Sequence, residues 1–146
     1  MSDQAERMHA PRSFWVVASV SLIWNLIGVM NYLFTVTVSS QTLATMSEAE
    51  RSLYTDVPVF VTSCFAIAVF SGVLGSVLLL LRKALSVSLF LVSLVAIILQ
   101  MSLGMFLTPM LTAQGPAALA LPILLIVCAA FFFWYSRKVT AQGLLH

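Results

Sequence analysis

Charge is nearly missing from this chain, and where it is missing matters more than how much. Asp, Glu, Lys and Arg make up 8% of 146 residues, against about 25% in an ordinary soluble domain. None of them, and no His, falls within four apolar stretches at 13–38, 58–81, 84–107 and 117–136. Each stretch reaches or passes the ~20 residues a helix needs to cross a hydrocarbon core about 30 Å thick. The absence excludes a soluble globule and predicts an all-α membrane protein, a four-transmembrane-helix bundle with a single integral membrane domain over residues 1–146. It also removes the ionisable groups that mark proton relays, ion sites and catalytic centres within membranes.

Other scarcities narrow the chemistry. There are two cysteines, Cys64 and Cys128, both inside apolar stretches where a thiol packs as a small apolar group. With no Cys-x-x-Cys and no Cys/His cluster, neither a disulfide nor a metal site is expected. The two histidines, His9 and His146, stand near the chain ends, and no acid, base and nucleophile set can be assembled, so no enzyme is expected. Axial ligands and phosphate-cradling glycines are missing, so no cofactor is expected either. Nucleic acid is not an expected partner, because the basic residues form scattered pairs rather than a basic face.

Those pairs carry orientation. Arg7 and Arg12 precede the first stretch, Arg82 and Lys83 link the second to the third, Arg137 and Lys138 follow the fourth, and Arg51 alone lies on the other side. The positive-inside rule then predicts both termini and the Arg82/Lys83 link in the cytoplasm, with the 39–57 and 108–116 connections outside. The first stretch, about 26 residues long and preceded by Asp3 and Glu6 as well as basic residues, reads as a retained span rather than a cleaved signal.

Helix ends are punctuated. Asp56 is expected to cap the second span with Pro58 in its first turn, Pro109 to stop the third, and Gly115 with Pro116 to turn the chain into the fourth. Ser47 and Glu50 have capping-box spacing, which predicts a short helix on the outer surface; Glu48 and Glu50, two residues apart, point to different sides of it and read as a solvated face rather than a catalytic pair. Phe14, Trp15 and the run from Phe131 to Tyr135 fit an interfacial aromatic belt. Two residues alone separate the second and third spans, so these must form a tight hairpin. Ala68, Gly72 and Ser76 recur every four residues, with Ser71 and Gly75 beside them, giving a helix-packing face for a neighbour in the same chain or in a second copy.

A few uncharged polar groups remain at depth. Ser21, Asn25, Gly28 and Tyr32 share one face of the first span, with Trp24, Asn31 and Thr35 on its flank; Ser86, Ser93 and Gln100 repeat every seven residues in the third. At 1.5 Å per residue, Asn31 and Gln100 lie roughly 27 Å and 24 Å from the starts of their spans and fall in one layer. An amide facing lipid would lose water without finding a partner, so both stripes should look inward. Two readings stay open. The amides are interhelical glue, or Trp24, Asn25, Asn31, Tyr32 and Gln100 line a pocket for a small neutral solute, with Trp24 or Tyr32 as a stacking surface.

The segments WNLIGVMNY, AIAVFSGVLGSVLLLLRK, SLFLVSLVAIILQ and WYSRKVTAQGLL, from about Trp15 onward, resemble a family of small bacterial four-span membrane proteins often labelled "sugar transporter". Trp24, Asn25, Gly28, Gly72, Gly75, Arg82 and Gln100 carry the resemblance. Asn31 stands where members often have Asp, which weakens a cation-coupled mechanism. The resemblance implies a multi-pass protein of a bacterial inner membrane. In it, a homo-oligomer would pass a small neutral solute such as a sugar, its partners being the lipid bilayer, that solute and further copies. The alternative is a non-catalytic accessory subunit of a larger membrane complex.

Overall fold

The computed structural model describes residues 9–107 and 115–146. The expected stop at Pro109, Arg7 of the orientation argument, and Asp3 and Glu6 of the retained-span argument lie outside these residues. The described chain is helical, with no strand. Four of its helices are long and apolar enough to cross a membrane, and the chain is a multi-pass membrane protein. They are α1 (Arg12–Thr37), α4 (Val59–Leu80), α5 (Leu85–Leu107) and α6 (Ala120–Ala141); the last is entered through a 3-10 turn, Gly115–Leu119. Between α1 and α4 lie α2 (Ser40–Ala44) and α3 (Glu48–Thr55).

Inside the spans, hydroxyls are hidden by bonding back to their own helix. Thr35 Oγ1 donates to Asn31 O at 2.9 Å, Thr37 Oγ1 to Leu33 O at 2.6 Å and Ser63 Oγ to Val59 O at 2.8 Å, so none is stranded in hydrocarbon. The short helices are built by caps. Ser47 Oγ accepts from Glu50 N at 3.2 Å while Glu50 Oε2 accepts from Ser47 N at 3.0 Å, a complete capping box that starts α3. Arg51 ties α3 to α2 by donating from Nε to Leu43 O at 3.0 Å.

Two sequence expectations need correction. Asp56 does not cap α4: its amide closes the last turn of α3 on Ser52 O at 3.1 Å, and no side chain caps α4, which begins after an extended Pro58. Pro58 fixes the geometry. Its φ of -59° and ψ of 143° make it the half-in residue, its carbonyl takes the first bond from Val61 N at 3.0 Å, and Asp56 stands too early to reach that turn. The fourth span also runs five residues past 136, to Ala141. Lys138 Nζ sits 5.1 Å over the Trp134 ring and the Arg137 guanidinium 5.7 Å over Phe133, so these cations lie on apolar rings, and Lys138 complements the negative helix end.

The four spans pack in chain order: α4 against α1 and α5, and α5 against α6, while the backbones of α1 and α6 barely approach. α4 is the central helix, buried at Val61, Cys64, Ala68, Gly72, Gly75 and Leu79, the 3-4 spacing of one helical face. Its small residues admit neighbours on two sides. A Cβ added at Gly72 would overlap Asn25 Oδ1 of α1 and stand 3.3 Å from Ser93 Oγ of α5, whereas one at Gly75 would meet the Phe90 ring of α5 at 3.3 Å. Both glycines therefore serve contacts within this chain.

At the end that carries both termini, α4 and α6 finish in the same way. Arg82, at φ 58°, and Gly143, at φ 75°, occupy the left-handed position of two Schellman motifs; Lys83 N donates to Leu78 O at 2.8 Å, and Leu144 N to Val139 O at 3.0 Å. The motifs are stitched together. His146 N donates to Arg82 O at 3.0 Å, Ala84 N to His146 O at 3.2 Å, and Arg82 Nε to Leu144 O at 2.9 Å. An arginine in a left-handed backbone is unusual, and its carbonyl and side chain are both held by the tail. Leu144 and Leu145 are buried with Phe14, Ala18, Leu79, Phe90, Phe132 and Val139 in one core cluster.

Candidate functional site

Two adjoining cavities occupy the other half of the bundle. The outer one, about 210 Å³, lies beneath α3 and is lined by Thr35 of α1, by Leu53 and Tyr54, by Val61 and Thr62 of α4 and by Gly104 of α5. The deeper one, about 250 Å³, is lined by all four spans, among them Trp24, Gly28, Ala68, Ile97 and Leu125. Asn31, Phe65, Gln100 and Met101 line both, so the Asn31/Gln100 layer is the boundary where the two meet. No Asp, Glu, Lys, Arg or His lines either cavity, and among the described residues no group of three metal-ligating side chains occurs.

The amides separate into two kinds. Asn25 is engaged: Nδ2 donates to Ser21 O at 2.7 Å and to Ser76 Oγ at 3.3 Å. Ser21 Oγ lies 3.1 Å from the same Ser76 hydroxyl, which itself donates to Gly72 O at 2.8 Å. With Oδ1 resting on Gly72, this residue fastens α1 to α4. Ser93 does the same for α5, donating to Ala68 O of α4 at 2.7 Å. The side-chain amides of Asn31 and Gln100 have no hydrogen-bond partner among the described residues, and both face the cavities. In an apolar medium an amide without a partner costs free energy, so these two keep donors and acceptors that water or a ligand could satisfy.

The five residues singled out in the sequence are therefore not equivalent. Trp24 and Asn25 line the deeper cavity, and Asn31 and Gln100 line both. Tyr32 lines neither. Its ring meets Phe65 edge-on at 5.4 Å and Phe70 at 5.8 Å, because its side of α1 faces the aromatic residues of α4, so it positions Phe65 instead of offering a stacking surface. Sequence reasoning missed Phe65, Ile97, Met101 and Leu125. An apolar side chain facing a cavity reads the same as one facing lipid, so no periodicity separates the two. Thr62 and Tyr54 had a weak signal, as polar groups near the outer helix ends.

Comparison of the chain with family models, with curated proteins and with solved structures finds no match.

Proposed function

We propose that this multi-pass protein admits a small neutral solute, from the end opposite its termini, to a site between its four spans. One observation carries the reading: two adjoining cavities share a pair of amides, Asn31 and Gln100, that no described residue satisfies. The charge-free lining favours an uncharged solute. Each volume is below the about 300–1,000 Å³ of drug-sized sites, which favours a small one. The grouping of Lys and Arg supports a cytoplasmic position for the terminal end, and the family resemblance supports a bacterial inner membrane, passage of the solute and a homo-oligomer. Binding and passage are favoured over a catalysed reaction because no Asp, Glu, Lys, Arg, His or Cys lines the cavities to serve as acid, base or nucleophile.

The test is uptake of radiolabelled neutral solutes, glucose among them, by liposomes carrying the full chain, with native mass spectrometry of its copy number. Uptake that falls at least tenfold in Asn31→Leu with Gln100→Leu, at unchanged melting temperature, supports the reading; no uptake of any solute removes passage. The accessory-subunit reading is favoured by a different observation, the flank left between α1 and α6, where a partner's helix would complete the bundle. Under it the double variant would lose association with a larger complex, and no solute would be taken up.

A further inference from the structure

The deeper cavity has a side as well as a top. Trp24, Ile27, Gly28 and Asn31 of α1 and Leu121 and Leu125 of α6 line it, although these two helices barely approach each other. Ile27 is 60% exposed and Leu121 50% exposed, so the lining residues on both sides of the gap also face outward. At this depth the outward medium is hydrocarbon. Ile27 stands ten residues, about 15 Å, from the far end of α1, near the bilayer midplane, and Asn31 six residues, about 9 Å, from it.

The chemistry of the cavity is polarised along the same axis. Its deeper walls are Ala68, Val69, Ile97 and Leu125, Asn25 being engaged by Ser21 and Ser76, and its unsatisfied amides, Asn31 and Gln100, sit toward the far face. An uncharged amphiphile in that leaflet lies in the same sense, apolar body toward the midplane and polar end outward. Size limits it further. A cavity of about 150 Å³ lined by Leu, Ile and Phe holds benzene, so about 250 Å³ takes a ring or short alkyl body with one polar substituent. A sugar would leave most of its hydroxyls against apolar walls without partners.

We propose that the deeper cavity is a lateral site for a small uncharged amphiphile dissolved in the membrane, which enters between α1 and α6 and sets a single hydroxyl or carbonyl pole between Asn31 and Gln100. The proposal rests on the solute-site reading above and names the class of solute. Gly28 lines the cavity on its α4 side, where an added Cβ would come within 3.1 Å of Val69, so any side chain there would take up room inside the site.

The experiment places the full chain in phosphatidylcholine vesicles with benzyl alcohol carrying a photoreactive diazirine, irradiates, and maps labelled peptides by mass spectrometry. Label confined to residues 24–31, 65–69, 97–101 and 121–125 is expected. Unlabelled benzyl alcohol should displace it, toluene at equal membrane concentration should displace at least tenfold less, and glucose not at all. Asn31→Leu with Gln100→Leu should cut labelling at least tenfold, and Leu125→Trp should block it by filling the site; if Leu125→Trp lowers the melting temperature, Leu121→Phe narrows the same entrance from its rim. Label spread over the lipid-facing sides of all four spans, equal displacement by toluene, or labelling unchanged by both kinds of variant would overturn the proposal. Amide-dependent glucose uptake without confined label would overturn it and leave the solute-site reading standing. Confined label without uptake of any solute would support it and remove passage alone.

Discussion

The two halves of this bundle are made of nearly the same apolar residues and behave differently. At the terminal end Phe14, Leu79 and Val139 are almost wholly enclosed, and the chain beyond α6 folds back to join the α4–α5 link. At the far end Phe60 is 62% exposed, Phe106 86% exposed, and cavities open between the spans. Apolar character does not explain the contrast, because in a bilayer lipid tails solvate a helix as well as another helix does. What differs is the placing of small and hydroxyl side chains. Ser21, Ser71, Gly72, Gly75, Ser76, Ser86 and Ser93 all lie buried in the terminal half, where helices approach closely; in the far half the hydroxyls of Thr35, Thr37 and Ser63 turn back on their own helices, and Gly104 has nothing within 4 Å of where its Cβ would be.

The largest break in this comparison is at the tail. Leu144→Ala with Leu145→Ala removes two buried side chains from the cluster that holds the terminal end together. A buried Leu→Ala change costs about 2–5 kcal/mol, and the lower part of that range is expected here, since the site lies at helix ends that can settle. The melting temperature in detergent should fall sharply and protease should cut beyond Gly143, while labelling of the far cavities persists. Unchanged melting would show that the tail merely rests on the bundle.

Three glycines test the contrast with one kind of change. Gly72→Ala must displace the Asn25 amide from between α1 and α4, and such overpacking costs about 1–3 kcal/mol. Gly75→Ala asks a few tenths of an ångström from the Phe90 ring and should cost less. Gly104→Ala, in the open half, should stabilise by about 0.5–1 kcal/mol through helix propensity alone. Thermal melting orders the three, and destabilisation by Gly104→Ala would mean that the far half is closer packed than its cavities suggest.

The amides sharpen the same point at side-chain level. Asn25→Leu breaks bonds to Ser21 O and Ser76 Oγ and leaves those groups short of a donor, at about 1–3 kcal/mol. Asn31→Leu and Gln100→Leu break none among the described residues and should melt like the parent chain while losing solute binding. A stability loss in Gln100→Leu equal to that in Asn25→Leu would return both to the role of glue.

How far this was legible in the sequence follows from the physics of each feature. Helix lengths were, because absence of charge over 20 residues admits one structure in hydrocarbon, and α1, α4 and α5 begin and end within one residue of the apolar stretches. The Asn25/Gly72 contact was half legible: a polar stripe and a small-residue stripe were each visible, but that one closes on the other depends on how the helices rotate. The tail was not, because Leu144 and Leu145 lie beyond any periodic segment and are held largely by backbone bonds. Nor was the inequality of Asn25 and Asn31: Asn25 is half-buried, with a hydroxyl on α4 opposite, and Asn31 is exposed.

A smaller effect is expected at Ser86, whose buried Oγ has no hydrogen-bond partner among the described residues although it belongs to the closed half. Ser86→Ala removes an unsatisfied polar atom and should stabilise by about 1 kcal/mol. A loss of stability on that change would reveal a partner for the hydroxyl in the membrane-embedded protein, a water for instance.

The smallest effect lies at the cover of the far half. α3 carries Leu53 and Tyr54 over the outer cavity, with Tyr54 edge-on to Phe34 at 6.3 Å, and its first turn is held by the Ser47/Glu50 box. Two donors hold the Glu50 carboxyl below its ordinary range: the Ser47 amide first, and the Ser47 hydroxyl second. Because the folded value is the lower one, the box stabilises α3 at all pH values above the unfolded range, and that contribution is lost as pH falls through the folded value. Glu50 is fully exposed, so the change should appear as local loosening of α3, with the spans unaffected. The Ser47 amide proton should shift in NMR spectra on acidification, with a midpoint below the about 4.3 of a free glutamate. In Glu50→Gln the amide oxygen keeps the bond to Ser47 but cannot ionise, so that titration should vanish while α3 remains. A midpoint at or above the free value would show that the box does not favour the carboxylate. A titration that survives Glu50→Gln would place its origin on another group of the cover.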